Sequence, residues 1–336
     1  MNLYLALRYC IKLVVRRIKI IFHKIPSNPF NALLQLNLLY NSVAPPPPVL
    51  YLGDSVIERV ANQDKDKRTL GKIVSDELSS HLPTGVISFS AYHMSIYCGL
   101  LSTLDATKHQ PKIIILPINI RSFSPQWDFQ PRWQYEEEQS VLKKYRQSGT
   151  RVIGRIYRDQ YLVPEYLQYK FRNTRVDYPM SDLNTIGQFL DVISCESEDE
   201  KERINRKQQI FIFNYGHPLS KKHRKIFKLT EILNLLLDWK LKVVTYLTPI
   251  NFDAGVRYVG PEFREQILKN VQVINDVILP YQKNGNLRYF DWCTSFPSKM
   301  FFYDDLATEH LNQEGRLHLA KKISHEVCVL NETGKQ

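Results

Sequence analysis

Cysteine is scarce in this chain, and what there is excludes two classes of small scaffold. The five thiols, Cys10, Cys98, Cys195, Cys293 and Cys328, are odd in number, scattered through 336 residues and without metal-ligand spacing. A disulfide framework is therefore not expected, a reducing compartment is, and no metal is assigned. No uncharged apolar run is long enough to cross a bilayer. Leu3 to Phe22 is rich in Leu, Ile and Val, but Arg8, Lys12, Arg16, Arg17 and Lys19 interrupt it. Nor does that segment show a clean apolar core with a small-residue cleavage site, so no secretory signal is read. A cytoplasmic or peripheral membrane location is expected. There is no internal repeat and no recognised nucleic-acid module.

The charge is lopsided. A net charge of +11 and a pI near 9.3 favour anionic partners: nucleic acid, anionic lipid or acidic glycan. Lys and Arg are spread rather than striped, which disfavours nucleic acid. The basic segment over residues 1–44 fits a helix lying in a membrane interface, and equally a terminal helix packed on the domain.

At 43% hydrophobic and 24% charged, the chain has an ordinary globular composition, long enough for one domain with insertions. Four prolines, Pro45 to Pro48, mark where the fold proper begins. Beyond them strand-length apolar runs alternate with helical stretches. Strands are expected at Val49–Leu52, Val86–Phe89, Ile113–Ile118, Ile210–Phe213, Val243–Leu247 and Leu287–Phe290. Helices are expected around Arg68–Ser79, Ser95–Leu104, Lys221–Leu237 and Glu262–Leu279. Such alternation implies an α/β fold of three layers: a mostly parallel sheet of five or six strands in flavodoxin-like order 2-1-3-4-5, with helices on both faces. The stretch 133–209, rich in Tyr, Arg, Glu and Gln, breaks the rhythm and reads as a helical insertion in a domain spanning 45–330, with 331–336 as a tail.

Two short segments carry chemistry. Val49-Leu50-Tyr51-Leu52-Gly53-Asp54-Ser55 reads as a buried strand entering a tight turn, with a serine hydroxyl at the tip. Asp304-Asp305-Leu306-Ala307-Thr308-Glu309-His310-Leu311-Asn312 supplies carboxylates and an imidazole just before the last helix. A serine hydroxyl becomes a useful nucleophile when an imidazole takes its proton and a carboxylate orients that imidazole. In open parallel sheets the crevice lies at the C-terminal strand ends where the winding reverses. Ser55 and Asn119 would both face it, and an Asn amide there can donate to an oxyanion. Asn119 can also be a plain turn residue after a strand.

The paired segments resemble the SGNH (GDSL-type) hydrolase family, whose first block is a Gly-Asp-Ser nucleophile turn and whose last block holds Asp and His close together. The resemblance spans about Val49 to Ala320. It implies Ser55 as nucleophile, His310 as base, and the Ser55 backbone amide and the Asn119 side chain as oxyanion donors. The family's second block supplies a Gly amide, but Ser88-Phe89-Ser90-Ala91-Tyr92-His93 has no glycine, so Ala91, or His93, stands in. The family's acid lies three positions before the His, where this chain has Ala307. Asp305 is taken as the acid, with Asp304 in reserve and Glu309 expected to point away. Arg121, Trp127 and Asn251 are expected to line the substrate site, in segments resembling bacterial SGNH-like proteins connected with cell-surface polysaccharides. The expected function is a serine esterase or acyltransferase acting on an ester-bearing small molecule or glycan, with no cofactor. The alternative is a non-catalytic SGNH-like protein binding glycan or lipid at an anionic membrane surface.

Overall fold

A computed structural model describes residues 31–40, 45–104, 110–148 and 164–333. The basic run from Leu3 to Phe22 lies outside them. Five strands, β1 (Val49–Gly53), β2 (Thr84–Ser88), β3 (Ile113–Ile118), β4 (Lys242–Leu247) and β5 (Leu287–Asp291), form one all-parallel sheet in the order β2-β1-β3-β4-β5. Helices in chain order are α1 (Asn31–Tyr40), α2 (Ser55–Glu58), α3 (Leu70–Leu78), α4 (Met94–Leu104), α5 (Pro125–Phe129), α6 (Glu136–Ser148) and α7 (Glu165–Arg172). They continue with α8 (Ile186–Ser194), α9 (Glu200–Tyr215), α10 (Arg224–Asp238), α11 (Phe252–Val259), α12 (Pro261–Ile278) and α13 (Gln313–Glu332). No helix among the described residues is long and apolar enough to cross a membrane.

Alternation along the strands builds two cores. Val49, Tyr51, Ile113, Ile115, Val244 and Tyr246 meet α3 and α13 on one face. Leu50, Leu52, Ile114 and Leu116 meet α4, α10 and α12 on the other, with α1 packed at its margin. A third cluster, around Phe171, Tyr178, Ile186, Phe189, Ile212 and Phe213, joins α7, α8 and α9 between β3 and β4.

Ile210–Phe213, expected as a strand, is instead the C-terminal part of α9. Its side chains are buried in different directions: Phe211 enters the main core, while Ile212 and Phe213 enter the third cluster. An apolar run that is buried all round has no periodicity by which to tell a helix end from a strand. The helix is continuous from its cap at Asp199, whose side chain accepts from Glu202 N at 3.0 Å.

Two details of the sheet shape its working end. The β1–β3 ladder stops at Tyr51 and Ile115, whereas the β3–β4 ladder continues to Ile118 and Leu247. Leu116 and Ile118 turn their carbonyls toward β4, accepting from Thr245 Oγ1 at 2.8 Å and Thr248 N at 3.0 Å. By alternation Pro117 faces β1, and it has no N–H to offer there. The C-terminal ends of β1 and β3 are thus unbonded to each other, at the point where the winding reverses. At the β2 edge, Gln35 of α1 donates from Nε2 to Ser88 O at 3.1 Å and accepts from Ser88 N at 3.2 Å.

Helix α13 is fastened by a buried cation. Arg316 is fully buried and donates to Asp64 Oδ2 at 2.6 Å, Asp66 O at 2.7 Å, and Leu311 O and Arg68 O at 3.1 Å. Arg316→Met leaves Asp64 buried without its cation and is expected to cost about 3–5 kcal/mol of stability. The double variant Asp64→Asn, Arg316→Met is expected to recover part of that loss, and urea unfolding of the single and double variants checks both statements.

Candidate functional site

The site begins where β1 ends. Gly53 leaves the space that Ile57 occupies: a Cβ on it would lie 2.2 Å from Ile57 Cδ1. Asp54 then caps α2, Oδ1 accepting from Val56 N at 2.8 Å, so Ser55 opens that short helix as a residue only 5% exposed. Its Oγ lies 3.1 Å from His310 Nε2, across 255 positions of sequence.

His310 is carried on a loop fixed from two sides. Phe301 and Leu311 form an antiparallel bridge, Phe302 N donates to His310 O at 2.9 Å, and the Phe302 ring lies 5.5 Å from the imidazole. Asn312 N donates to Met300 O at 3.0 Å, and Asn312 Oδ1 caps α13 by accepting from Gly315 N at 3.1 Å. From the other side Asn251, fully buried, donates from Nδ2 to Tyr303 O at 3.2 Å and Leu306 O at 3.0 Å. Its backbone N donates to Thr308 O at 3.0 Å, and its Oδ1 accepts from Ser298 Oγ at 2.6 Å. Asn251, expected to line the substrate site, is occupied as the clamp of this loop. A buried amide whose donors and acceptor are satisfied by the chain has little left for a ligand.

That clamp also decides where the carboxylates go. Asp305, expected behind the imidazole, instead pairs with Lys207 of α9, which also donates to Tyr258 OH at 3.1 Å. With Tyr303 O and Leu306 O both held by Asn251, the turn presents Asp305 to α9. Asp304 is exposed. Glu309 is 1% exposed and turned away from the imidazole: both its oxygens accept from Arg121 Nη1 at 3.1 Å, and Oε2 accepts from Tyr215 OH at 2.9 Å. The group that meets His310 Nδ1 is the Thr308 hydroxyl, at 3.3 Å.

Asn119 and Arg121 stand across the crevice. Asn119 donates from Nδ2 to Asp54 Oδ2 at 2.9 Å and accepts from Arg121 N at 3.0 Å. One of its two amide N–H groups is therefore committed to the turn that carries Ser55. Arg121, expected to face substrate, is bound to Glu309, with its guanidinium 4.7 Å from the Trp127 ring centroid. Trp127 is half-buried and stacks on Trp133 at 4.1 Å, so this aromatic pair backs the cation. Ala91 is buried at φ 63, a left-handed conformation that favours glycine. Among the described residues, the backbone N–H groups of Ser55 and Ala91 have no hydrogen-bond partner. His93 is a buried cap, Nδ1 accepting from Ser95 N at 3.3 Å and Nε2 bonded to Trp133 O at 3.0 Å.

Burial pulls the His310 pKa below its ordinary value; Glu309 opposes this, while Arg59 and Arg121 add to it. A neutral imidazole able to accept a proton therefore persists below pH 6.5. Burial pushes Asp54 up to about 6 against the hydrogen bonds from Asn119 and Val56 N. It also pushes Glu58, whose carboxylate accepts from Ser88 Oγ at 2.9 Å, up to about 7. Glu309 goes the other way: burial would raise it, but Arg121, His310 and Tyr215 together bring it down to about 2. No cluster of His, Cys, Asp and Glu among the described residues is arranged to hold a metal ion. The arrangement can move a proton from a serine hydroxyl to an imidazole beside free backbone donors. Sequence reasoning passed over Thr308 and Tyr215; the only signal for Thr308 was a hydroxyl two residues before the histidine. Comparison with known family models and with curated proteins found no match.

The Glu309–Arg121 pair gives a test with a definite sign. Because the Glu309 carboxyl is brought down to about 2 in the folded chain from an ordinary value of 4.5, its stabilising effect is complete above pH 4.5 and fades as pH falls toward 2. Arg121→Met is expected to lose about 3–5 kcal/mol at pH 7 and to unfold at higher pH in acid titrations. Adding Glu309→Gln is expected to restore much of the loss, read as the coupling energy in a double-mutant cycle.

Proposed function

We propose that the chain is a serine esterase or acyltransferase of the SGNH type, using Ser55 as nucleophile and His310 as base. The observation that carries this reading is the 3.1 Å contact between Ser55 Oγ and His310 Nε2 at the end of β1. Supporting it are a doubly wound sheet with the contact at its switch point, an imidazole that stays neutral below pH 6.5, and unpartnered donors on either side.

The steps follow from those groups. Ser55 Oγ attacks the ester carbonyl as its proton passes to His310 Nε2. The negative charge that develops on the carbonyl oxygen is received by the N–H of Ser55, with Ala91 N–H and the remaining Asn119 amide N–H as further donors. Collapse expels the alcohol, which takes the proton from His310. Water or a second hydroxyl, such as that of a sugar, then gives its proton to His310 and attacks the acyl-enzyme, and the departing Ser55 Oγ takes that proton from His310, which restores both groups. Ester hydrolysis and acyl transfer differ only in that acceptor. An O-acyl group on a carbohydrate is the favoured substrate class, and the basic segment before residue 31 suits a peripheral position on an anionic membrane surface.

A second reading keeps the site and removes the turnover: a non-catalytic SGNH-like protein that binds glycan or lipid at that surface. It is favoured by the absence of a carboxylate bonded to His310 Nδ1 among the described residues and by the commitment of an Asn119 N–H to Asp54.

Labelling by a fluorophosphonate probe separates the two. The enzyme is expected to label at Ser55 and to hydrolyse a short-chain aryl ester, and Ser55→Ala is expected to abolish both while the fold is retained. Unchanged hydrolysis in a folded Ser55→Ala protein overturns the assignment. The acid limb of kcat/KM is expected below pH 6.5, and Arg59→Gln is expected to move it upward, because Arg59 is one of the cations that depress the imidazole.

A further inference from the structure

We propose that Thr308, and not a carboxylate, is the residue that positions the imidazole of His310. The role in turnover rests on the reading of Ser55 and His310 just given; the contact itself does not. Thr308 is 6% exposed, and its Oγ1 accepts from His310 N at 3.0 Å while lying 3.3 Å from His310 Nδ1. Its backbone is fixed by Asn251 N at 3.0 Å, and a β-branched side chain has few χ1 choices, so the hydroxyl is held where it is. The carboxylates near the loop are occupied or remote: Glu309 by Arg121 and Tyr215, Asp305 by Lys207, and Asp304 in solvent.

The chemistry of a hydroxyl in this place differs from that of a carboxylate. For Nε2 to take the Ser55 proton, the hydrogen of the neutral imidazole must sit on Nδ1. Thr308 Oγ1 has two lone pairs and can accept both the His310 backbone N–H and Nδ1–H, an arrangement that supports that tautomer. When Nε2 is protonated, both ring nitrogens carry hydrogens and Oγ1 remains an acceptor. A hydroxyl can also turn its own hydrogen toward Nδ1, which places the ring hydrogen on Nε2 and blocks transfer. A carboxylate permits only the first arrangement and adds a negative charge that raises the basicity of the ring. Thr308 therefore orients the base while leaving it weakly basic.

The variants Thr308→Val, Thr308→Ser and Thr308→Asp test this, with Asp305→Asn as the comparison. Thr308→Val keeps the shape and loses the acceptor; kcat for an aryl ester is expected to fall about 10- to 100-fold with KM little changed, the loss of one hydrogen bond to a group that becomes charged. Thr308→Ser is expected to stay within about threefold of the parent, as is Asp305→Asn. Thr308→Asp is expected to move the acid limb to higher pH. The 15N shifts of the His310 ring, assigned by loss of its signals in His310→Gln, are expected to report protonated Nδ1 in the parent and a shift toward protonated Nε2 in Thr308→Val. A parent-like ring spectrum and kcat in Thr308→Val, or a large loss confined to Asp305→Asn, overturns the proposal. If the parent hydrolyses no ester but its ring spectrum responds to Thr308→Val as described, the positioning role stands and the esterase reading falls.

Discussion

A carboxylate that is 1% exposed cannot remain ionised without a cation, and the pairing of Glu309 with Arg121 organises the whole C-terminal edge of the sheet. Its backbone neighbours make it part of a closed circuit. Glu309 adjoins His310; Arg121 offers its backbone N–H to Asn119; Asn119 donates to Asp54; Asp54 caps the helix that Ser55 begins; and Ser55 meets His310. Three of the links, Glu309 to Arg121, Asn119 to Asp54 and Ser55 to His310, join segments far apart in sequence, while the two turns at Asn119 and Asp54 are local. The Ser55–His310 contact thus closes a circuit that also passes through the ion pair. Tyr215, at the end of α9, adds a third element to the same carboxylate and ties the helices between β3 and β4 to the circuit.

The sheet supplies the space in which that circuit sits. Because Pro117 has no N–H to extend the ladder toward β1, the β1 and β3 tips end unbonded to each other, beside the turn of Ser55 and beside Asn119. The two cores on either face are continuous beneath this opening, with the Tyr51 and Tyr246 hydroxyls bonded at 2.6 Å on the α3 and α13 side. Rigid packing below and unpaired strand ends above are the conditions under which side chains from loops can be held in fixed relation to one another.

Much of the fold could be read from local pattern, and most of what could not depended on remote partners. The five strands alternate with helices at spacings that leave few topologies, and buried runs such as Ile113–Ile118 are unambiguous in that context. Ile210–Phe213 misled because a helix end surrounded by two cores is apolar on every side. Ser55 and Asn119 could be placed at the C-terminal edge of the sheet because each follows a buried strand, and His310 because it lies just ahead of the last helix. Asp305 was not: its direction depends on Asn251 holding the neighbouring carbonyls, a contact across about fifty residues. Arg121 resembled a cation waiting for a ligand because its partner, Glu309, lies 188 positions away.

The amide of Gln35 has a consequence for how the molecule behaves among its own copies. At the β2 margin it satisfies both backbone groups of Ser88, the same two groups that an added strand would use. An uncovered parallel edge is a template for self-association, and β2 carries no proline of its own to discourage it. Helix α1 thus serves as a solubility device as well as a packing element. Lifting it away would free the Ser88 N–H and C=O for pairing with an added strand.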